Sequence, residues 1–173
     1  MTDDASKKTQ LYDLIDGIEI AMFTTRRPDG RLVSRPMATQ ARASGADLWF
    51  VTDASTYKLD ELEQDPQVNL AYYNQKSREY VSVSGTARVS SDRAKIAELY
   101  RPDWKAWFGG DTQESGTPDD PRITLIGVHV ESAVYLKMDK PRPVVFYEVA
   151  KGMLTGKAPD LGETHRVSGR ELH

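Results

Sequence analysis

Apolar residues recur along the chain with two different periods, and the switches between them mark out its elements. In "KKTQLYDLIDG", residues 7–17, Leu11, Leu14 and Ile15 fall at helical spacing, and Gly17 is placed to stop the helix. "IEIAMFTT" then reads as a strand. "RRPDGR" reads as a turn, because Pro28 fixes φ and Gly30 tolerates a positive one. It leads into "RLVSRPMATQARA", and after a second turn, "SGAD", into the short apolar strand "LWFVT". These three segments predict a meander.

Residues 55–65, "STYKLDELEQD", switch back to helix, with Leu59 and Leu62 on one face and Pro66 after the end. "QVNLAYYN" and "EYVSVSGTARVS" are strands; in the second, Val81, Val83, Gly85, Ala87 and Val89 alternate with polar residues. "SDRAKIAELY" opens a second helical region, capped by Ser91 or Asp92, which runs through "PDWKAWFGG" and breaks at Gly109–Gly110. After the polar loop "DTQESGTPDDP" comes a long last strand, "RITLIGVHVESAVYLK". "PVVFYEVAKGM" predicts a short helix, and residues 156–173 read as a loose polar tail. Six strands with few helices and short connections predict a mainly β (α+β) fold, an antiparallel six-stranded barrel with helices packed outside.

Composition sets limits on this picture. The chain has 173 residues, 39% hydrophobic and 28% charged, which suits one globular domain over residues 1–173 with a single core. It contains no cysteine, which excludes thiol catalysis and disulfides and is compatible with a reducing cytoplasm. The N-terminus lacks the apolar core of a secretory signal, and no apolar window approaches a membrane span. A net charge of −3 with scattered signs is not the footprint of a nucleic-acid binder.

One strand breaks a rule. "SRPM", residues 34–37, puts Pro36 inside a β segment, although proline has no N–H for a ladder and is confined to edges, strand starts and bulges. Just beyond it, "WFVTDASTYKLDEL" carries a strand end at Thr52, a capping Ser55, and a helix opening with Thr56 and Lys58. Unpaired first-turn N–H groups, two hydroxyls and an ammonium can converge there on a phosphate. The competing reading is a solvated lysine. Arg35 adds a second cation able to bind bidentately if the intervening turn brings it beside Thr52. Trp104, Trp107 and Phe108 form an aromatic cluster suited to core packing, to an oligomer contact or to stacking on a flat heterocycle. Asp60, Glu61 and Glu63 read as a solvated helix face.

The order of these features resembles the flavin-binding split barrels related to pyridoxamine 5′-phosphate oxidase, and within them the bacterial general stress protein group. It is carried by "GRLVSRPM", "LWFVTDASTYKLDELEQDP" and "VSVSGTARV", over residues 10–140. The resemblance implies FMN, with FAD as a variant, at the interface of a homodimer. It implies that Arg35, Thr52, Thr56 and Lys58 hold the phosphate, with Tyr57 where the oxidase has another arginine. Ser34, Pro36 and Met37, with Val51, would border the ring system and ribityl chain; Trp107, with Trp104, would come from the partner subunit. Tyr135, in a place where relatives often have tryptophan, would also contact the flavin. Tyr80 replaces a glutamine that reaches the flavin in the oxidase, and "GRELH" at the end only echoes its substrate-binding segment. The implied function is therefore flavin binding, with either a flavin-dependent redox reaction on a small molecule or storage and sensing without turnover, and not pyridoxamine phosphate oxidation.

Overall fold

The computed structural model describes residues 2–138, 142–156 and 162–172. Helix α1 (Thr2–Ile18) buries Leu11, Leu14 and Ile15, the stripe that its spacing predicts. Gly17 does not end it. The stop is Glu19, at φ 67, whose N–H donates to the Ile15 carbonyl at 2.8 Å. Strands β1 (Ile20–Arg26), β2 (Leu32–Ala38), β3 (Leu48–Asp53), β4 (Gln67–Tyr73), β5 (Tyr80–Ser90) and β6 (Ile123–Lys137) follow. Helix α2 (Tyr57–Gln64) lies between β3 and β4, while α3 (Arg93–Leu99) and α4 (Trp104–Trp107) lie between β5 and β6. Helix α5 (Arg142–Thr155), strand β7 (Glu163–Ser168) and α6 (Gly169–Leu172) complete the chain.

The sheet runs β2-β1-β4-β5-β6-β3, all antiparallel, and curls into the split half-barrel that the pattern predicts. Two features differ from expectation. β1, β2 and β3 are not a meander, because β3 pairs with β6 along its whole length and meets β2 only at an isolated Thr39–Phe50 bridge. The tail is not loose over residues 163–172: β7 adds to the edge of β6, and Val167 and Leu172 are buried. Residues 157–161 and 173 of that tail lie outside the described residues. β7 was hard to see because it alternates only weakly, with Val167 its single buried side chain.

Inward residues of every barrel strand form one core, from Ala21 and Phe23 through Phe50, Leu70 and Val83 to Ile126 and Tyr135. The ladder shifts register between Ser84 and Gly85, where the strands bend. A Cβ on Gly85 would stand 2.2 Å from the His129 carbonyl oxygen, so only glycine fits. A second core of Trp49, Ile96, Leu99, Trp104, Phe108, Ile123 and Leu125 glues α3 and α4 to the outer face of β3 and β6. Among the described residues, no helix is long and apolar enough to cross a membrane.

Candidate functional site

The site lies in the split between β2 and β3. Thr39 donates its N–H to the Glu19 carbonyl, and Arg27 donates to that of Arg31, so odd-numbered residues of β2 carry the bonds to β1. Ser34, Pro36 and Ala38 therefore turn their backbone polar groups the other way, toward the split. Pro36 sits opposite Met22 at a position that owes β1 no N–H. This edge placement accounts for the proline inside a strand. On the far side, Ala54 donates to Arg122 of the β6 side, and the Trp49 carbonyl accepts from Gln40. By the same alternation the backbone of Val51 faces the split, while its side chain packs on the second core. Extending the Thr39–Phe50 bridge sets Met37 opposite Thr52 and Arg35 opposite Ala54, so the two stretches singled out from the sequence face each other.

Helix α2 begins where β3 ends. Asp53 folds the connection by accepting from the backbone N–H and the hydroxyl of Ser55, at 2.8 and 2.6 Å. Ser55 is thus not the cap. Thr56 holds that position, and its hydroxyl donates to the Asp53 carbonyl at 2.9 Å, so no side chain caps the first turn. Lys58 turns inward and donates to the Thr52 hydroxyl, which also lies 3.3 Å from that of Thr56. Thr52, Thr56 and Lys58 are therefore gathered at one spot. Burial and the positive charge of Arg35 hold the Lys58 ammonium below its ordinary pKa. Two cations close enough to repel, on a half-buried floor of hydroxyls, form a place that an anion would stabilise.

Arg35 reaches this spot on a clamp that the sequence did not reveal. Its guanidinium donates to Thr25 at 2.6 Å and to Glu61 at 2.8 Å, and Thr25 donates to the same carboxylate oxygen at 2.5 Å. Glu61 is 7% exposed and is not part of a solvated face. Burial pushes its carboxyl up, but the Thr25 and Arg35 hydrogen bonds, with the charges of Arg35 and Arg27, outweigh that and hold it below its usual pKa. The available signal was its spacing of three from Lys58, which puts both on one helix face.

The remaining candidates scatter. Met37 is buried and Ser34 is exposed; Ser34 hydrogen-bonds Thr24 at 2.7 Å on the outer face of the sheet, so only its backbone can border the split. Trp107 is 83% exposed on α4. Trp104 is not: it is 2% exposed, and its indole N–H donates to Gln40 at 3.0 Å, because it is the centre of the second core. Tyr135 is likewise excluded from the split. It is fully buried inside the barrel, with its hydroxyl on Lys7 and Gln10 and its ring 5.0 Å from that of His165.

Residues 6–160 match the family described as pyridoxamine 5′-phosphate oxidase like. The chain belongs to that family. It is 35% identical over 170 residues to protein bli-3 of Neurospora crassa, spanning 96% of this chain and 81% of the relative. A solved structure from Jannaschia sp. CCS1, assigned to general stress protein 26, superposes with a TM-score of 0.71 at 25% identity, over 95% of this chain and 99% of that one. A general stress FMN/FAD binding protein from Xanthomonas citri shares the fold, with a TM-score of 0.59 at 24% identity over 73% of this chain and 84% of that one.

Proposed function

We propose that this protein binds FMN in the split between β2 and β3, with the phosphate held by Lys58, Thr52, Thr56 and Arg35. The observation that carries the reading is the meeting of two mutually repelling cations with paired threonine hydroxyls at an uncapped helix start. A phosphate relieves that repulsion and accepts from the N–H groups of a first turn that no side chain caps. The backbone of Pro36, Met37 and Val51 borders the ring and ribityl chain. Flavin binding in the named Xanthomonas neighbour supports the same reading.

The working unit in this proposal is a homodimer. Ile20, Met22, Leu32 and Tyr73 stand 43–63% exposed on the outer face of β1, β2 and β4, and burial against a second copy is the commonest way to cover such a face. Trp107 of one protomer then reaches the flavin of the other.

When bound, FMN supplies two-electron redox chemistry, and the chain contributes orientation and charge. The favoured function is a general-stress-type flavoprotein acting as an oxidoreductase on a small molecule. Flavin storage or sensing without turnover is the second reading, and Glu61 favours it: the buried carboxyl at the site is held ionised by Arg35 and Thr25, so it does not serve as a proton donor near neutral pH. The visible spectrum of purified protein tests the cofactor, with flavin absorption bands expected. Anaerobic addition of NADH or NADPH tests turnover. Bleaching supports the oxidoreductase; failure of both, with acceptors present, leaves the storage reading. A protein that takes up no flavin refutes both.

A further inference from the structure

Between the β4–β5 hairpin and helix α5 lies a cleft of about 560 Å³, within the ~300–1,000 Å³ range of small-molecule sites. Helix α2 leads into β4 and the hairpin leaves it, so the cleft stands at the opposite end of that strand from α2 and the proposed phosphate site. Lys76, Ser77, Arg78 and Glu79 line one side of it. Met138 lines the other, with Val145, Phe146 and Val149 of α5. We propose that this cleft binds an amphipathic anion, with a carboxylate head on Arg78 and an apolar body along α5. The proposal is independent of the flavin reading and uses none of its residues.

Three observations carry it. The first is Arg78. Its φ is 65, a left-handed backbone that glycine adopts freely and a long side chain only with strain. The loop enforces that conformation. The Asn74 carbonyl accepts from the Arg78 N–H at 2.7 Å, and the Asn74 side chain accepts from the N–H groups of Lys76 and Ser77 at 3.0 and 3.2 Å. Strain held in place by its surroundings points to a use for the residue that bears it. The Arg78 side chain is exposed and, among the described residues, has no hydrogen-bond or ion-pair partner. A guanidinium so placed at a cleft is a bidentate receptor for a carboxylate.

The second is charge. Lys76 stands with Arg78 in the lining, and the one acid among the described lining residues, Glu79, already accepts the Met138 backbone N–H at 3.2 Å. In a chain of net charge −3, this cleft has a positive side, which attracts an anion and repels a cation. The third is the opposite wall. Val145 and Val149 are four apart on α5 and half-buried, so they share the helix face that lines the cleft, and Phe146 stands beside them 79% exposed. No described side chain of α5 is buried. A 14-residue helix is marginal alone and depends on packing, which an apolar body laid between α5 and the hairpin supplies. A bare inorganic anion would leave this wall unused, and a wholly apolar molecule would leave Arg78 unused.

Calorimetric titration of dodecanoate into the full chain tests the site, with dodecyltrimethylammonium as the cation of equal chain length. Dodecanoate is expected to saturate at one equivalent per chain, and the cation to bind about tenfold more weakly or not at all. Arg78→Asn removes the charge and keeps the turn, because asparagine tolerates a left-handed backbone. It should weaken dodecanoate roughly tenfold or more, and Val149→Ser should weaken it several-fold, with FMN affinity unchanged in both variants. Hydrogen exchange locates the site: amides of α5 and of residues 76–79 should slow when dodecanoate binds. The proposal is refuted if dodecanoate does not saturate, if the cation binds as tightly, or if Arg78→Asn leaves dodecanoate unchanged or weakens FMN equally. It is also refuted if Val149→Ser splits a dimer into monomers in light scattering, because the cleft then belongs to a subunit contact.

Discussion

Lys58 offers the sharpest separation between a phosphate site and a merely crowded corner. Its ammonium donates to Thr52 and is held half-buried beside Arg35, so the fold carries this charge at a cost. Replacing it by alanine has little to break: Thr52 keeps Thr56 at 3.3 Å, and removing a cation from the first turn of a helix is neutral or slightly favourable. The expected Tm is unchanged or slightly raised. What the substitution removes is one charge-assisted hydrogen bond to the phosphate, worth about 1.5–3 kcal/mol. That is roughly a 10- to 100-fold weaker Kd for FMN. Riboflavin has no phosphate and should lose almost nothing.

Fluorescence-quenching titration of both flavins into both proteins reads the difference directly. A pH series adds a second readout. Because burial and Arg35 lower the Lys58 pKa, the wild-type advantage for FMN should fade as alkali approaches that lowered value, before an ordinary lysine would titrate. Lys58→Ala should show no such step. Equal FMN affinity in the two proteins, or an equal loss for riboflavin, would mean that the phosphate lies elsewhere.

Other outcomes follow from the same geometry. Trp104→Ala empties the centre of the second core and should cost about 3–5 kcal/mol by chemical denaturation, whereas Trp107→Ala should leave stability alone and weaken flavin retention. Light scattering at micromolar concentration should give twice the chain mass; a monomer would remove the role of Trp107 across subunits. Truncation before Glu163 strips β7 from β6 and uncovers Tyr135, so a lowered Tm is expected. Asp120, buried in the loop before β6, has its carboxyl pulled down to about 2, chiefly by Arg122 and against the opposing effect of burial. With an ordinary value of 3.8, its contribution, on the order of 2 kcal/mol, is full above pH 4 and is lost as pH falls through 2. Asp120→Asn should lower Tm at pH 7 and flatten that acid limb.

What the sequence disclosed and what it withheld divide along a physical line. Lys58, Thr52 and Thr56 were legible because a strand end, a turn and a helix start are local, and six residues fix where they meet. Arg35 was legible as a candidate but not its anchorage. Thr25 and Glu61 come from two other elements, and nothing in "DELEQ" distinguishes an acid that faces a half-buried arginine from one that faces water. The meander reading fails at β3 for a related reason. A short turn such as "SGAD" favours pairing with the strand before it, but β3 finds its ladder on β6, at least seventy residues away. Trp104 and Tyr135 read as ligand contacts in sequence, but an aromatic in a motif is equally at home in a core, and burial is settled only by the fold. Pro36 is the exception that clarifies the rule. It is a local residue reporting a non-local fact, because a proline is admitted to a strand only where no neighbour asks for its N–H. Its position on β2 marks the one side on which β1 makes no demand, and that side is the split where Thr52, Lys58 and Arg35 converge. The residue that looked least like part of a sheet was therefore the best pointer to where the sheet opens for something else.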